Sequence, residues 1–240
     1  MSFGLECKKV KRTGFNPTFL CGGFIAAIVP ILNMAVRSEN YLGLDASPVQ
    51  ILMNANWQMM SLLNILVVVA GACLMYHIEY TDNALQRMCT LPIGESRLFF
   101  GKAALLAVMS VVLLLIEAAG IAFCLYHWFE LSLDVWPELM KNFGYALLLI
   151  VPAATGSLMI ASACKNMWVS LGIGVICVFA ATMMPTKNFA LSLFPFALPF
   201  QMFAGATENT VRNYIVAAVI EILIIGFAEV LLLKVRRAFE

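Results

Sequence analysis

Residues 79–97 read EYTDNALQRMCTLPIGESR, a polar island set between two long apolar runs at 51–76 and 98–125. The runs suit a bilayer, whose hydrocarbon core of about 30 Å takes roughly 20 apolar residues per helix. The island does not suit it, and it must sit in water, on a face where a soluble protein can push on it. That contrast decides the fold class: a chain of membrane-crossing helices carrying a soluble contact segment.

Working outward from the island, the rest of the chain agrees. Hydrophobic residues make up 62% of it, charged residues 12%, and the mean hydropathy is +0.90. Soluble domains hold roughly 45–50% apolar and about 25% charged residues. Six stretches qualify as spans, at about 15–36, 51–76, 98–125, 138–163, 169–184 and 211–233. The fifth is the shortest and has flanks that can extend it. Alternating strands of about ten residues are absent, which argues against a β-barrel. The expected fold is an all-α membrane protein with six transmembrane helices over residues 1–240, a single unit with no soluble domain. The basic segment Lys8, Lys9, Lys11 and Arg12 precedes a run long enough to span, so it does not read as a cleavable signal peptide.

Charge sets the orientation. With both termini inside, the cytosolic segments hold eleven basic residues: Lys8, Lys9, Lys11, Arg12, Arg87, Arg97, Lys102, Lys165, Lys234, Arg236 and Arg237. The outer side then holds four, Arg37, Lys141, Lys187 and Arg212. This bias satisfies the positive-inside rule, giving an N-in/C-in topology with residues 1–14 and 79–97 in the cytosol. A net charge of +1 leaves no basic surface for nucleic acid. The seven cysteines, Cys7, Cys21, Cys73, Cys89, Cys124, Cys164 and Cys177, have no metal-ligand spacing and read as small buried hydrophobes. Gly22/Ala26, Ala153/Ser157 and Ser170/Gly174 are small-residue pairs at helical spacing that let backbones approach, and Pro30 and Pro152 are expected to kink their spans.

Catalytic chemistry is missing. His77 and His127 fall at opposite ends of the membrane, and neither a zinc-protease helix nor a nucleophile elbow occurs. Gly94 to Gly101-Lys102 lacks the spacing and the Ser or Thr of a phosphate loop. If ATP drives this protein, another subunit binds it.

Polar chemistry inside the spans is present. Asn54, Trp57, Gln58, Ser61 and Asn64 occupy one arc of roughly 120° on the outer half of the second span. Amides facing lipid would go unsatisfied, so the stripe faces the bundle, a partner or a watery cavity. It serves either as interhelical glue, at about 0.6 kcal/mol per bond, or as a substrate-pathway lining. Three carboxylates, Glu117, Glu221 and Glu229, lie within spans, where an acid is costly. Glu221 is nearest the midplane, Glu117 shares a face with Ser110 and Cys124, and Glu229 is placed to snorkel or to pair with Lys234. Residues 185–210, with Phe189, Phe194, Pro195, Phe196, Pro199, Phe200 and Phe203, are too broken to span and too apolar to float. They predict a short re-entrant or interfacial element between the fifth and sixth spans.

The island and its flanks resemble the permease subunits of type-2 ABC exporters, especially those of the lantibiotic-immunity group. The resemblance rests on LECKKVKRTG before the first span, then Glu79, Leu91-Pro92 and Gly101-Lys102, with Arg97 between. The chain departs from many relatives at Asn83-Ala84, where they have Gly-Thr. The resemblance implies that 79–97 is a coupling helix docked on a separate ATPase. Asp82, Gln86 and Arg87 would make polar contacts and Leu85 and Leu91 apolar ones, while Pro92 would end the helix. It further implies ATP and Mg bound by that partner and none by this chain, two ATPase copies, a second six-helix permease, and a location in the bacterial cytoplasmic membrane. The implied cargo is a lantibiotic-type antimicrobial peptide taken from the lipid bilayer, giving immunity or resistance. A generic drug or lipid exporter is the alternative within this class. A passive six-helix channel and an intramembrane enzyme are alternatives outside it. The one Asn-Pro, Asn16-Pro17, is followed by Thr18 and makes no aquaporin half-helix.

Overall fold

A computed structural model describes residues 2–11, 13–81, 95–129, 135–184 and 188–239, and every regular element among them is helical. Helices are what the apolar runs must form, because each satisfies its own backbone polar groups where water is excluded. A short helix α1 (Ser2–Val10) precedes α2 (Phe15–Arg37), α3 (Pro48–Thr81), α4 (Glu95–Trp128), α5 (Val135–Ala163) and α6 (Met167–Met183). A four-residue helix α7 (Phe189–Ser192) and a 3-10 turn at Leu198–Phe200 lead into α8 (Glu208–Phe239).

Five helices, α2 to α5 and α8, are long and apolar enough to cross a membrane. The helix α6 has 17 residues. At 1.5 Å per residue that is about 25 Å, somewhat short of the hydrocarbon core. Its flanks do not lengthen it: the Asn166 side chain caps the start by accepting from the Trp168 N–H, and Met184 leaves in extended conformation. By contrast α3 and α4 each run 34 residues, about 51 Å. They overreach the hydrocarbon and lift their ends, Thr81 and Glu95, beyond it. Both α2 and α5 continue through Pro30 and Pro152, each buried.

The helix α3 is the hub, packing on α2, α4, α5 and α6, while α8 closes against α5. Glycines permit the close approaches. A Cβ on Gly22 would lie 2.3 Å from Val67 Cγ2, and one on Gly174 would lie 2.4 Å from Val69 Cγ1, so α2 and α6 both seat against α3 without side chains there. Gly120 of α4 similarly meets the backbone of Ala27 in α2. Between α1 and α2 the chain reverses at Gly14, whose φ of +79° favours glycine. That reversal returns α1 onto the first turns of α4. It therefore lies at the end of the bundle from which the island leaves. The Tyr80 hydroxyl donates to the Ser162 carbonyl and brings the end of α5 to the same place.

Candidate functional site

At the island end, four charged side chains from three separate stretches of sequence meet. The Lys102 ammonium donates to Glu6 Oε2 at 2.8 Å and Glu79 Oε1 at 2.6 Å. The Lys9 ammonium donates to Glu6 Oε1 at 3.0 Å and Glu79 Oε1 at 3.1 Å. Two carboxylates and two ammoniums balance. The balance is required, because Glu6, Glu79 and Lys102 are 1%, 3% and 1% exposed, and an unpaired charge at such depth is strongly destabilising. The Tyr76 ring lies 5.4 Å from the Lys102 ammonium and adds a cation–π contact. Burial alone would lower the Lys9 pKa; the Glu79 and Glu6 carboxylates outweigh it and hold the group above its ordinary 10.5.

Each member has a reason to be there. Glu6 and Lys9 are one turn apart on α1, with Val10 buried beside them. Glu79 ends α3 and Lys102 begins α4, so the cluster clasps both flanks of the island to the N-terminal helix. Sequence reasoning singled out Glu79 as a site residue; Lys102 entered as a cytosolic charge and as part of the Gly101-Lys102 pair, Lys9 as one of the basic residues before the first span, and Glu6 only within the stretch LECKKVKRTG. The available signals were the i, i+3 spacing of Glu6 and Lys9 and a lysine set among the apolar residues of α4. The expected contact residues Asp82, Leu85, Gln86, Arg87, Leu91 and Pro92 lie outside the described residues.

The amide stripe of α3 divides. Asn54 and Gln58 are exposed, while Trp57, Ser61 and Asn64 are buried. An arc as wide as this one meets two environments. Its buried edge is met by the crossover between α6 and α8: Trp57 Nε1 and the Ser61 hydroxyl both donate to the Pro199 carbonyl, at 3.2 and 2.9 Å. The crossover thus folds back onto α3 and α5, burying Phe196, Leu198 and Pro199. Deeper in, Asn64 Nδ2 donates to Glu117 Oε2 at 3.0 Å and joins α3 to α4.

The exposed edge lines a cleft of about 720 Å³ at the end away from the island. Gln50, Asn54 and Gln58 of α3 form one wall, Thr182 to Met184 and residues of the crossover segment 200–206 the others, and none of the lining residues among those described is charged. Gln201 Nε2 is buried in that wall without a hydrogen-bond partner among the described residues.

The other intramembrane acids stand apart. Glu221 is partly buried, and neither oxygen has a hydrogen-bond partner among the described residues. Nothing there links it to the stripe or to Glu117. Glu229, expected to snorkel or to pair with Lys234, is 1% exposed and so does not snorkel, and the Lys234 side chain lies outside the described residues. The six cysteines among the described residues are free thiols, with Cys73 and Cys124 buried. Among the described residues no three of His, Cys, Asp and Glu come together as metal ligands.

Neither a curated protein nor a solved structure matches the chain. Residues 3–181 of the 240 match a protein family described as ABC-2 family transporter protein, and the chain therefore belongs to that family, as a multi-pass membrane permease of an ABC transporter in the cell membrane.

Proposed function

We propose that this chain is the permease subunit of an ATP-driven exporter that expels lantibiotic-type antimicrobial peptides from the membrane and so confers immunity or resistance. The observation that carries its mechanical half is the four-charge cluster. Glu79 opens the island and Lys102 follows its end, and ion pairs to Glu6 and Lys9 make the two ends one stiff base. An ATPase pressing on residues 79–97 then moves α3 and α4 together and does not merely bend a loop. The island is the coupling helix, with Leu85 and Leu91 in an apolar groove of the ATPase and Asp82, Gln86 and Arg87 at its polar rim. Two ATPase copies, which hold ATP and Mg, serve this chain and a second six-helix permease, with α6 as the fifth crossing and both termini in the cytosol.

Support for a peptide cargo comes from the cleft. Its walls offer amides and thioethers without charge, and Gln201 contributes an unpaired N–H donor. Such a lining suits a ligand rich in amide groups and apolar side chains. Asn54, Trp57, Gln58, Ser61 and Asn64 form the pathway, and Glu117 and Glu221 are its intramembrane acids.

Growth of cells with and without the transporter across a panel of lantibiotics tests the cargo. Loss of resistance to at least one peptide is expected; unchanged sensitivity to all, with altered export of a drug or lipid, would point to the generic exporter. Coupling is tested separately. Purified alone, the chain should hydrolyse no ATP, and it should co-purify with an ATP-binding subunit. Arg87→Glu or Leu85→Ala should uncouple hydrolysis from resistance while the bundle stays inserted, and full resistance in both would remove the island from the mechanism.

A further inference from the structure

The hydrogen bond between Asn64 and Glu117 leaves a mismatch. Asn64 Nδ2 donates to Glu117 Oε2, yet Asn64 Oδ1 and Glu117 Oε1 are both buried and have no partner among the described residues. A side-chain amide offers donors on one atom and an acceptor on the other, whereas a carboxylate offers acceptors alone. If Glu117 were ionised, one amide oxygen and one carboxylate oxygen would sit buried without a donor, a costly arrangement. Turning the amide over exchanges its two atoms and leaves the same mismatch.

Nearby groups do not repair it. Ser61, one turn from Asn64, donates its hydroxyl to Pro199, as does Trp57. The neighbouring walls, Leu114 of α4 and Ala146 and Ile150 of α5, are apolar, as are Gly23 and Ala27 of α2 where they meet Ile116 and Gly120. Among the described residues no ionisable side chain from α2, α3 or α5 forms an ion pair or hydrogen bond with Glu117, which is 0% exposed. A water in the void of about 10 Å³ beside Asn64 would serve Oδ1 and leave the charge of Glu117 uncompensated.

We infer that Glu117 is a proton-binding site, whose neutral carboxyl pairs head to head with the Asn64 amide and clasps the second and third spans near the middle of the bundle. The carboxyl proton on Oε1 is donated to Asn64 Oδ1, while Oε2 accepts from Nδ2, so every polar atom of the pair is satisfied. Loss of that proton to bulk water replaces a donor with an acceptor and opens the clasp. The inference goes beyond the proposed export function and does not depend on the cargo. It makes proton occupancy the control on a second tie between α3 and α4, at mid-bundle, separate from the charge cluster at their island ends.

Glutamine is the neutral mimic of the bound form, since its amide both donates and accepts. Infrared difference spectra of the full chain, wild type minus Glu117→Gln, should show a protonated carboxyl band at neutral pH, and that band should shift in Asn64→Ala. A carboxylate signature alone at neutral pH overturns the assignment, with or without an added water. Thermal melting supplies a second readout. Glu117→Gln should melt close to wild type in acid, where the folded and unfolded wild type both hold the proton, and wild type should lose stability relative to it as pH rises and the unfolded carboxyl ionises first. Glu117→Ala and Asn64→Ala should both melt lower, with the double variant no lower than the worse single one. If Glu117→Gln melts as low as Glu117→Ala, the paired clasp is wrong.

Discussion

Lys102 shows how much one side chain can hold. It is 1% exposed and bridges Glu6 and Glu79. Replacing it with Met preserves volume but leaves two buried carboxylates to share the single, part-exposed Lys9 ammonium, and breaking such a pair costs about 3–5 kcal/mol. Thermal melts of the purified protein should show that loss, and Lys102→Met combined with Glu79→Gln should lose less than the sum of the two single changes. Lys9 adds a pH dependence. Its folded pKa is held above 10.5, so its contribution to docking α1 is fully present below that value and fades as pH rises through the folded pKa. The difference in melting temperature between wild type and Lys9→Met should therefore be level through neutral pH and shrink in strong alkali. Neither residue announced itself in the sequence as a member of a charge cluster; Lys102 stood there in the Gly101-Lys102 pair and Lys9 in the basic stretch before the first span. Their burial follows from α1 folding back at Gly14 onto α4, a contact between residues about ninety positions apart.

At the scale of helices, close packing on α3 depends on absent side chains. A Cβ at Gly22 or Gly174 would strike a valine methyl, and valine has few rotamers in which to withdraw it. Gly174→Val should destabilise the bundle by about 1–3 kcal/mol, the usual cost of overpacking. Val69→Ala in the same chain should restore much of that loss in a melting assay, whereas Gly172→Ala, with nothing within 4 Å of its Cβ, should have little effect. The small-residue spacings at Gly22/Ala26 and Ser170/Gly174 were legible in the sequence as packing sites; the valines they receive were not, because partner and register are set by the three-dimensional arrangement. Gly120 against Ala27 was not among the pairs singled out, although Gly23 and Ala27 are themselves four apart. The amide stripe was legible as an arc, and its division into a buried edge and a cleft wall was decided by the crossover that reaches Trp57 and Ser61.

For the molecule as a whole, exposure indicates what surrounds it. The most apolar part of α8 is 22% buried, with Leu223, Ile224 and Phe227 facing outward as lipid would require. Asn54 and Gln58 are exposed too, but amides do not face lipid, so the second permease proposed above should cover the cleft mouth. A cysteine placed at Gln58, with the native thiols removed, should cross-link to a neighbouring permease in membranes; failure across linker lengths would leave the cleft facing water within a single chain. By itself the sequence determined that this is a helical membrane protein and where its long helices run, because hydropathy and helix length are properties of contiguous residues. Tertiary structure alone decided that the flanks of the island are clasped to α1, that Glu117 meets Asn64, and that half the stripe opens on a cleft. Each of these joins residues far apart in the chain, and a buried charge or amide is explained only by the partner that folding brings to it.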